Sequence, residues 1–194
     1  LSPKKAGLDF DLAIYMLPLA DYVSTEGGLN LMSSTYRKYN DSAIPTKAKA
    51  GGSYINSFLA TSDAQRNGYD DALMFDDAGN VVEVSVANII LVYRGQIIIP
   101  DTGNAALEGI TVRSALELLE YNGYKINRGK IDRSMVFTAD ELLVTGTAMK
   151  ITYAESLDKR PIGQLDFNAK PQAGKFHKLL KSEYEKVING DEEY

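Results

Sequence analysis

The chain has 194 residues, 44% apolar and 24% charged, with 16 Gly and 6 Pro, enough to bury a substantial core in one or two domains and unlike disordered, collagenous or coiled-coil compositions. Its 21 basic and 26 acidic residues leave a net charge of -5, and the Lys and Arg are scattered, so the footprint of a nucleic-acid binder is missing although a small anion could be held locally. The lack of Cys and the single His, His177, exclude disulfides, thiol nucleophiles and thiolate metal sites and make a His triad or multi-His zinc centre a poor reading; a reducing compartment fits, and the cytoplasm is the expectation.

The sequence starts at Leu1 rather than Met, which implies processing or truncation. Lys4 and Lys5 before Leu12 to Leu17 resemble a signal peptide superficially, but Asp9 and Asp11 stand where its apolar region should begin. No apolar run approaches the roughly 18 to 20 residues of a membrane span, so no membrane association is expected. Two β-type runs are read instead, Asp11 to Leu19 and Leu29 to Tyr36, with a turn at Gly27-Gly28. A polar connection from Asp41 to Ala50 leads through Gly51-Gly52 into a helix over Ser53 to Asn67, ended by Gly68.

Ala72 to Phe75 reads as a strand and Asp76 to Asn80 as a turn, too short for a calcium loop. Val81 to Pro100 reads as a strand, a bend near Ala87, and a hairpin turning at Arg94-Gly95. A helix from Thr111 to Asn122 stops at Gly123; a short strand near Ile126 and a helical turn at Ser134 to Phe137 follow. Strands Glu141 to Thr145 and Lys150 to Ala154 flank Gly146-Thr147-Ala148, and Phe176 to Ile188 forms a terminal amphipathic helix closed by Gly190. The pattern is that of a mixed α/β domain with many antiparallel strands.

Five places could carry chemistry. Lys49 lies two residues before Gly51-Gly52, where backbone and ligand can approach closely, and is either a Schiff-base nucleophile or an ordinary surface charge. Tyr54 opens the following helix and either packs or hydrogen-bonds a ring oxygen. Glu83 interrupts Val81-Val82-Glu83-Val84 and either faces water from an edge strand or, buried, needs a cationic partner such as a protonated ring nitrogen. Gly109-Ile110-Thr111 points backbone amides and a hydroxyl at whatever precedes a helix, as a phosphate seat or as simple capping by Thr111. Thr145-Gly146-Thr147-Ala148 offers a second amide-rich turn. Asp101-Thr102-Gly103 matches the core of aspartic proteases but has no second copy, no metal site is read, and His177, among Lys175, Lys178 and Lys181, is expected to be solvated.

In order, these residues resemble the large domain of class IV aminotransferases, the pyridoxal-phosphate enzymes that include branched-chain amino acid aminotransferases. The likeness is carried by Ile44-Pro45-Thr46-Lys47-Ala48-Lys49-Ala50-Gly51-Gly52-Ser53-Tyr54, by Gly68-Tyr69-Asp70-Asp71-Ala72-Leu73, by the Glu83 and Asn88 spacing, by Gly109-Ile110-Thr111, and by Ala139-Asp140-Glu141 with Thr145-Gly146-Thr147-Ala148. The resemblance implies residues 1-194 as the large domain, with a mostly antiparallel pseudo-barrel sheet and surrounding helices, and a small N-terminal domain lacking from the sequence. It implies pyridoxal 5'-phosphate as cofactor, with Lys49 as Schiff-base lysine, Tyr54 on the ring oxygen and Glu83 on the ring nitrogen. Gly109, Ile110, Thr111 and Thr147 would hold the phosphate, and Thr147 and Ala148 the substrate carboxylate.

The reaction implied is amino transfer from a branched-chain amino acid to a 2-oxo acid, 2-oxoglutarate, by a homodimer acting in branched-chain amino acid biosynthesis. D-amino acid aminotransferases and aminodeoxychorismate lyases share the fold and remain open, as does a non-catalytic cofactor-binding remnant. Val84, Val112 and Ser53 depart from the family pattern, and the phosphate-binding Arg of the small domain has no counterpart here.

Overall fold

A computed structural model describes residues 7, 11-18, 27-101, 103, 105-164 and 172-191. Among these residues nine strands form one sheet: β1 (Leu29–Arg37), β2 (Asp71–Phe75), β3 (Val81–Val84), β4 (Asn88–Tyr93), β5 (Gln96–Pro100), β6 (Ile126–Gly129), β7 (Glu141–Gly146), β8 (Lys150–Leu157) and β9 (Arg160–Pro161). The helices are α1 (Tyr54–Arg66), entered through a 3-10 turn at Gly51–Ser53, α2 (Ile110–Tyr121), α3 (Arg133–Phe137) and α4 (Lys175–Asn189).

The strand order is β3-β2-β1-β8-β7-β4-β5-β6, with β9 beside β8. Most ladders are antiparallel; β1 runs parallel to both β2 and β8, and β5 to β6. Although β3 and β4 are not neighbours in this order, Val84 N donates to Ala87 O at 3.0 Å, and the sheet curls into a half-barrel. The three-residue link between β3 and β4 requires that curl, and at its end Asn88 stands opposite Thr145 of β7.

The strands read from the sequence between Leu29 and Ala154 are present within a residue or a few of their expected ends. Every residue of β2 (DALMF) and β3 (VVEV) is buried, as near-continuous apolar runs covered on both faces require. One core lies inside the curl, with Leu31, Leu73, Val84, Ile89, Leu142 and Leu157. A second fills the space between the sheet and α2 and α4, with Ile90, Ile97, Leu119, Leu143 and Leu180. Gly68, Gly123 and Gly190 each follow a helix with positive φ, the left-handed stop that a side chain would strain.

Two expectations are corrected. The strand expected from Asp11 to Leu19 is not formed over 11-18, where Leu12, Ile14, Tyr15, Met16 and Leu17 are exposed; Leu19 lies outside the described residues. A strand needs a neighbour to satisfy its backbone, and these residues enter no ladder. His177 is not solvated but buried, its ring 4.8 Å from that of Tyr153. Glu141 accepts from the amides of Phe176 and His177, both at 2.9 Å, and so caps the start of α4 while turning the imidazole inward.

Burial pushes the His177 imidazole below its ordinary range, with Lys181 and Lys178 adding to the effect and a backbone hydrogen bond at Ile151 opposing it. Nδ1 has no hydrogen-bond partner. The folded state therefore resists protonation more than the unfolded chain, whose imidazole titrates at about 6.5. The stability that His177 contributes is complete above that value and is lost as pH falls through it toward the lower folded pKa. In urea melts, the midpoint of the wild type should fall more than that of His177→Phe between about pH 8 and about pH 5; parallel curves would show that the ring is not buried.

Candidate functional site

Lys49, Tyr54, Glu83, Gly109, Ile110, Thr111, Thr147 and Ala148, spread over much of the sequence, all line one open cleft at the curled end of the sheet. Lys49, Thr147 and Ala148 come from turns and Gly109 to Thr111 from a helix start, where backbone groups are free, whereas Glu83 is paired with Met74 in the β2-β3 ladder. Lys49 stands in the loop before α1, exposed, with Nζ 5.5 Å from the centre of the Tyr54 ring. This loop is pinned at both ends. Thr46 N donates to Asp41 Oδ1 at 2.9 Å, Ser53 Oγ donates to Ala50 O at 2.6 Å, and Lys47 Nζ reaches across to Ala106 O at 2.9 Å.

Glu83 is buried, with 5% of its surface exposed, although β3 ends the strand order. The reading in which it faces water is therefore overturned, because Lys38, just past the end of β1, covers it. Lys38 Nζ lies 2.6 Å from Glu83 Oε1, and both side chains are under a tenth exposed. Burial raises the Glu83 carboxyl above its ordinary range, and the Lys38 ammonium, followed more weakly by Lys47 and Lys49, offsets only part of that rise.

The other carboxylate oxygen, Oε2, accepts from Asn88 Nδ2 at 3.1 Å. The same amide group donates to Leu107 O at 3.0 Å, and its Oδ1 accepts from Gly109 N at 2.9 Å. Asn88 thus ties the carboxylate to the turn that starts α2. Gly109, not Thr111, is the N-cap residue, with extended backbone and no capping side chain. The amides of Ile110, Thr111 and Val112 have no acceptor within the helix, so together with the helix dipole they form a seat for an anion. A Cβ on Gly109 would lie 2.6 Å from Asn88 Oδ1, so a larger residue there would displace the Asn88 amide.

On the opposite side, the β7-β8 hairpin carries Gly146, Thr147 and Ala148 against Ala87; a Cβ on Gly146 would come within 3.1 Å of Ala87 Cβ. Thr147 and Ala148 are exposed to the cleft. Thr145, buried behind them, has a hydroxyl with no partner in the protein.

A family model described as amino-transferase class IV matches residues 3-157. The chain belongs to the class IV aminotransferase family. It is 33% identical to a probable branched-chain-amino-acid aminotransferase of Aquifex aeolicus (strain VF5) over 98% of this chain and 60% of that protein. With the branched-chain-amino-acid aminotransferase of Escherichia coli (strain K12) the identity is 32%, over 82% of this chain and 52% of the relative. This class IV chain therefore spans little more than half the length of these curated relatives. Among solved structures it resembles the branched-chain aminotransferase of Thermoproteus uzoniensis with norvaline, at TM-score 0.83 and 32% identity over 91% of this chain and 56% of that one. It also resembles the branched-chain amino acid aminotransferase of Thermobaculum terrenum in its PLP form, at TM-score 0.78 and 30% identity over 86% and 52%. The mixed α/β class and pseudo-barrel sheet implied by the sequence motifs are those of this class IV fold.

The sequence motifs do not single out Lys38. The signal available is indirect: a buried Glu83 demands a cation, but which one depends on the β1-β2-β3 register. Of the other sequence candidates, Asp101-Thr102-Gly103 includes Thr102, which lies outside the described residues, and Asp76 to Asn80 is ordinary structure. Asp76 accepts from Asn80 N at 2.7 Å and Nδ2 at 2.8 Å, closing a plain turn through Gly79. Among the described residues no group of His, Asp and Glu could hold a metal ion, and no helix is long and apolar enough to cross a membrane.

Replacing Gly109 by Ala should break the half-buried Asn88 contact and lower stability by about 0.5 to 1.5 kcal/mol, the net worth of one hydrogen bond. The urea midpoint measures this directly, and an unchanged midpoint would mean that the turn relaxes freely.

Proposed function

We propose that this chain is the large, cofactor-binding domain of a pyridoxal-5'-phosphate-dependent aminotransferase that moves an amino group from a branched-chain L-amino acid to 2-oxoglutarate. The observation that carries the reading is the convergence of an amine, a phenol, a buried carboxylate and an amide-lined helix start on one cleft. These groups fit the proposed cofactor one by one. Lys49 offers the amine for its aldehyde, Tyr54 a hydroxyl for its ring oxygen, Glu83 an anion for its ring nitrogen, and Gly109 to Thr111 a seat for its phosphate. The Thr145 hydroxyl, unpartnered among the described residues, further supports a cleft shaped for a polar ligand.

When bound, this cofactor withdraws electrons from the substrate's α-carbon and so lowers the cost of removing its proton. Lys49 would take that proton at Nζ as general base, a role worth about 10² to 10⁴ in rate. Glu83 would hold the ring-nitrogen proton in place. The exposed amides of Thr147 and Ala148 would bind the substrate carboxylate, fixing the α-carbon relative to Lys49. Val86 and Ile110 line the cleft and are exposed, as are Ile55, Phe58 and Leu59 on α1. Their exposure supports a cleft covered by further polypeptide, either residues beyond this sequence or a second copy in a homodimer, which would exclude water.

A polypeptide in which this sequence follows a class IV small domain should transfer the amino group of leucine to 2-oxoglutarate, and residues 1-194 alone should do so far more slowly; equal rates would refute the large-domain assignment. Inactivity with every branched-chain donor would favour the D-amino acid aminotransferase or lyase reading. Borohydride reduction of the protein with pyridoxal 5'-phosphate should label Lys49, and label on Lys47 or Lys38 with Lys49 clean would end its assignment. Glu83→Gln should retain binding while amino transfer falls by orders of magnitude; near-normal turnover would remove Glu83 from the reaction.

A further inference from the structure

Lys38 is buried at a place where an ammonium has no reason to be unless an anion needs it. Its backbone amide donates to Phe75 O at 2.8 Å, which ties the end of β1 to β2 and aims the side chain across β2 toward β3. There Nζ meets Glu83 Oε1 at 2.6 Å and lies 5.3 Å from the centre of the Tyr39 ring. Either charge alone would be expensive to bury, and together they offset much of each other's cost.

The pair is open on one side. Glu83 and Lys38 both line the cleft, so the carboxylate is neither sealed in the core nor free in water. Lys38 takes one oxygen and Asn88 the other, which fixes the plane of the carboxylate while leaving lone pairs for a further donor. Lys47 and Lys49 are the other cations acting on it, and both are exposed, with Lys47 engaged at Ala106 O.

We propose that Lys38 is a positioning residue that keeps Glu83 ionised and oriented as a preformed anion for the cationic nitrogen of a heteroaromatic ring. The ring rests on the cofactor reading above; the ionisation of Glu83 does not. Without Lys38, a carboxyl in this setting takes up a proton, can no longer balance a ring cation, and leaves the ring nitrogen neutral.

The test is carbon-13 titration of the Glu83 side-chain carboxyl in protein free of cofactor, with Glu83→Gln identifying the resonance. At pH 7 the wild type and Lys38→Arg should show an ionised carboxylate and Lys38→Met a protonated one. A wild type protonated at pH 7, an ionised Glu83 in Lys38→Met, or no restoration by Lys38→Arg would each overturn the proposal. Should Lys38→Met fail to fold, Lys38→Gln takes its place, and the wild-type and Lys38→Arg titrations remain decisive against it. A structural role alone would lower the urea midpoint without moving this resonance. With nitrogen-15 ring-labelled pyridoxal 5'-phosphate added, the ring resonance should lie at its protonated position in wild type and Lys38→Arg and move to the neutral position in Lys38→Met. If that cofactor does not bind the wild type while the carbon titration behaves as stated, the cofactor reading fails and the Lys38 assignment stands.

Discussion

A carboxylate inside an apolar strand must be compensated, and the rest of the site is arranged around how Glu83 is. Lys38 supplies the charge and Asn88 supplies a hydrogen bond. Because Asn88 also holds Leu107 and Gly109, compensation of one carboxylate fixes the start of α2 as well. The two ends of the cleft, one suited to a cation and the other to an anion, are thereby set at a fixed separation. Under the proposed function, these ends would take the ring cation and the phosphate of one ligand.

The curl of the sheet makes this possible. In a flat sheet, β3 and β4 would lie far apart, with four strands between them. Only Ser85, Val86 and Ala87 join them, so the sheet has to curl; Val84 N donates to Ala87 O at that link, and Gly146 of β7 lies against the same bend. The side chains of the cleft thus stand on strand ends and on turns braced by both hydrophobic cores. Such a frame holds donors in place before a ligand arrives, which is the property that electrostatic catalysis requires.

Much of this is legible in the sequence because its signals are local. Gly51-Gly52 before a helical pattern, Gly109-Ile110-Thr111 before another, and Arg94-Gly95 between apolar runs each state their turn in neighbouring residues. The helix pattern from Phe176 likewise predicts α4, but the Lys neighbours of His177 mislead about its environment. Those lysines lie on its own helix, whereas Tyr153, Ile151 and Glu141, which set its burial, come from β7 and β8. The run at residues 11-18 fails in the opposite sense: its composition suits a strand, but strand formation depends on a neighbour that composition does not supply.

Element order, helix stops, the family and its motif residues were determined by the sequence alone, because periodicity, turn chemistry and ordered motifs are written in residues close along the chain. Only the tertiary structure decided that Lys38 meets Glu83, that Asn88 joins the carboxylate to the helix start, and that His177 is buried. Each depends on strand register and on the curl of the sheet, which bring together residues far apart in the chain and turn a solvated charge into a buried, paired one.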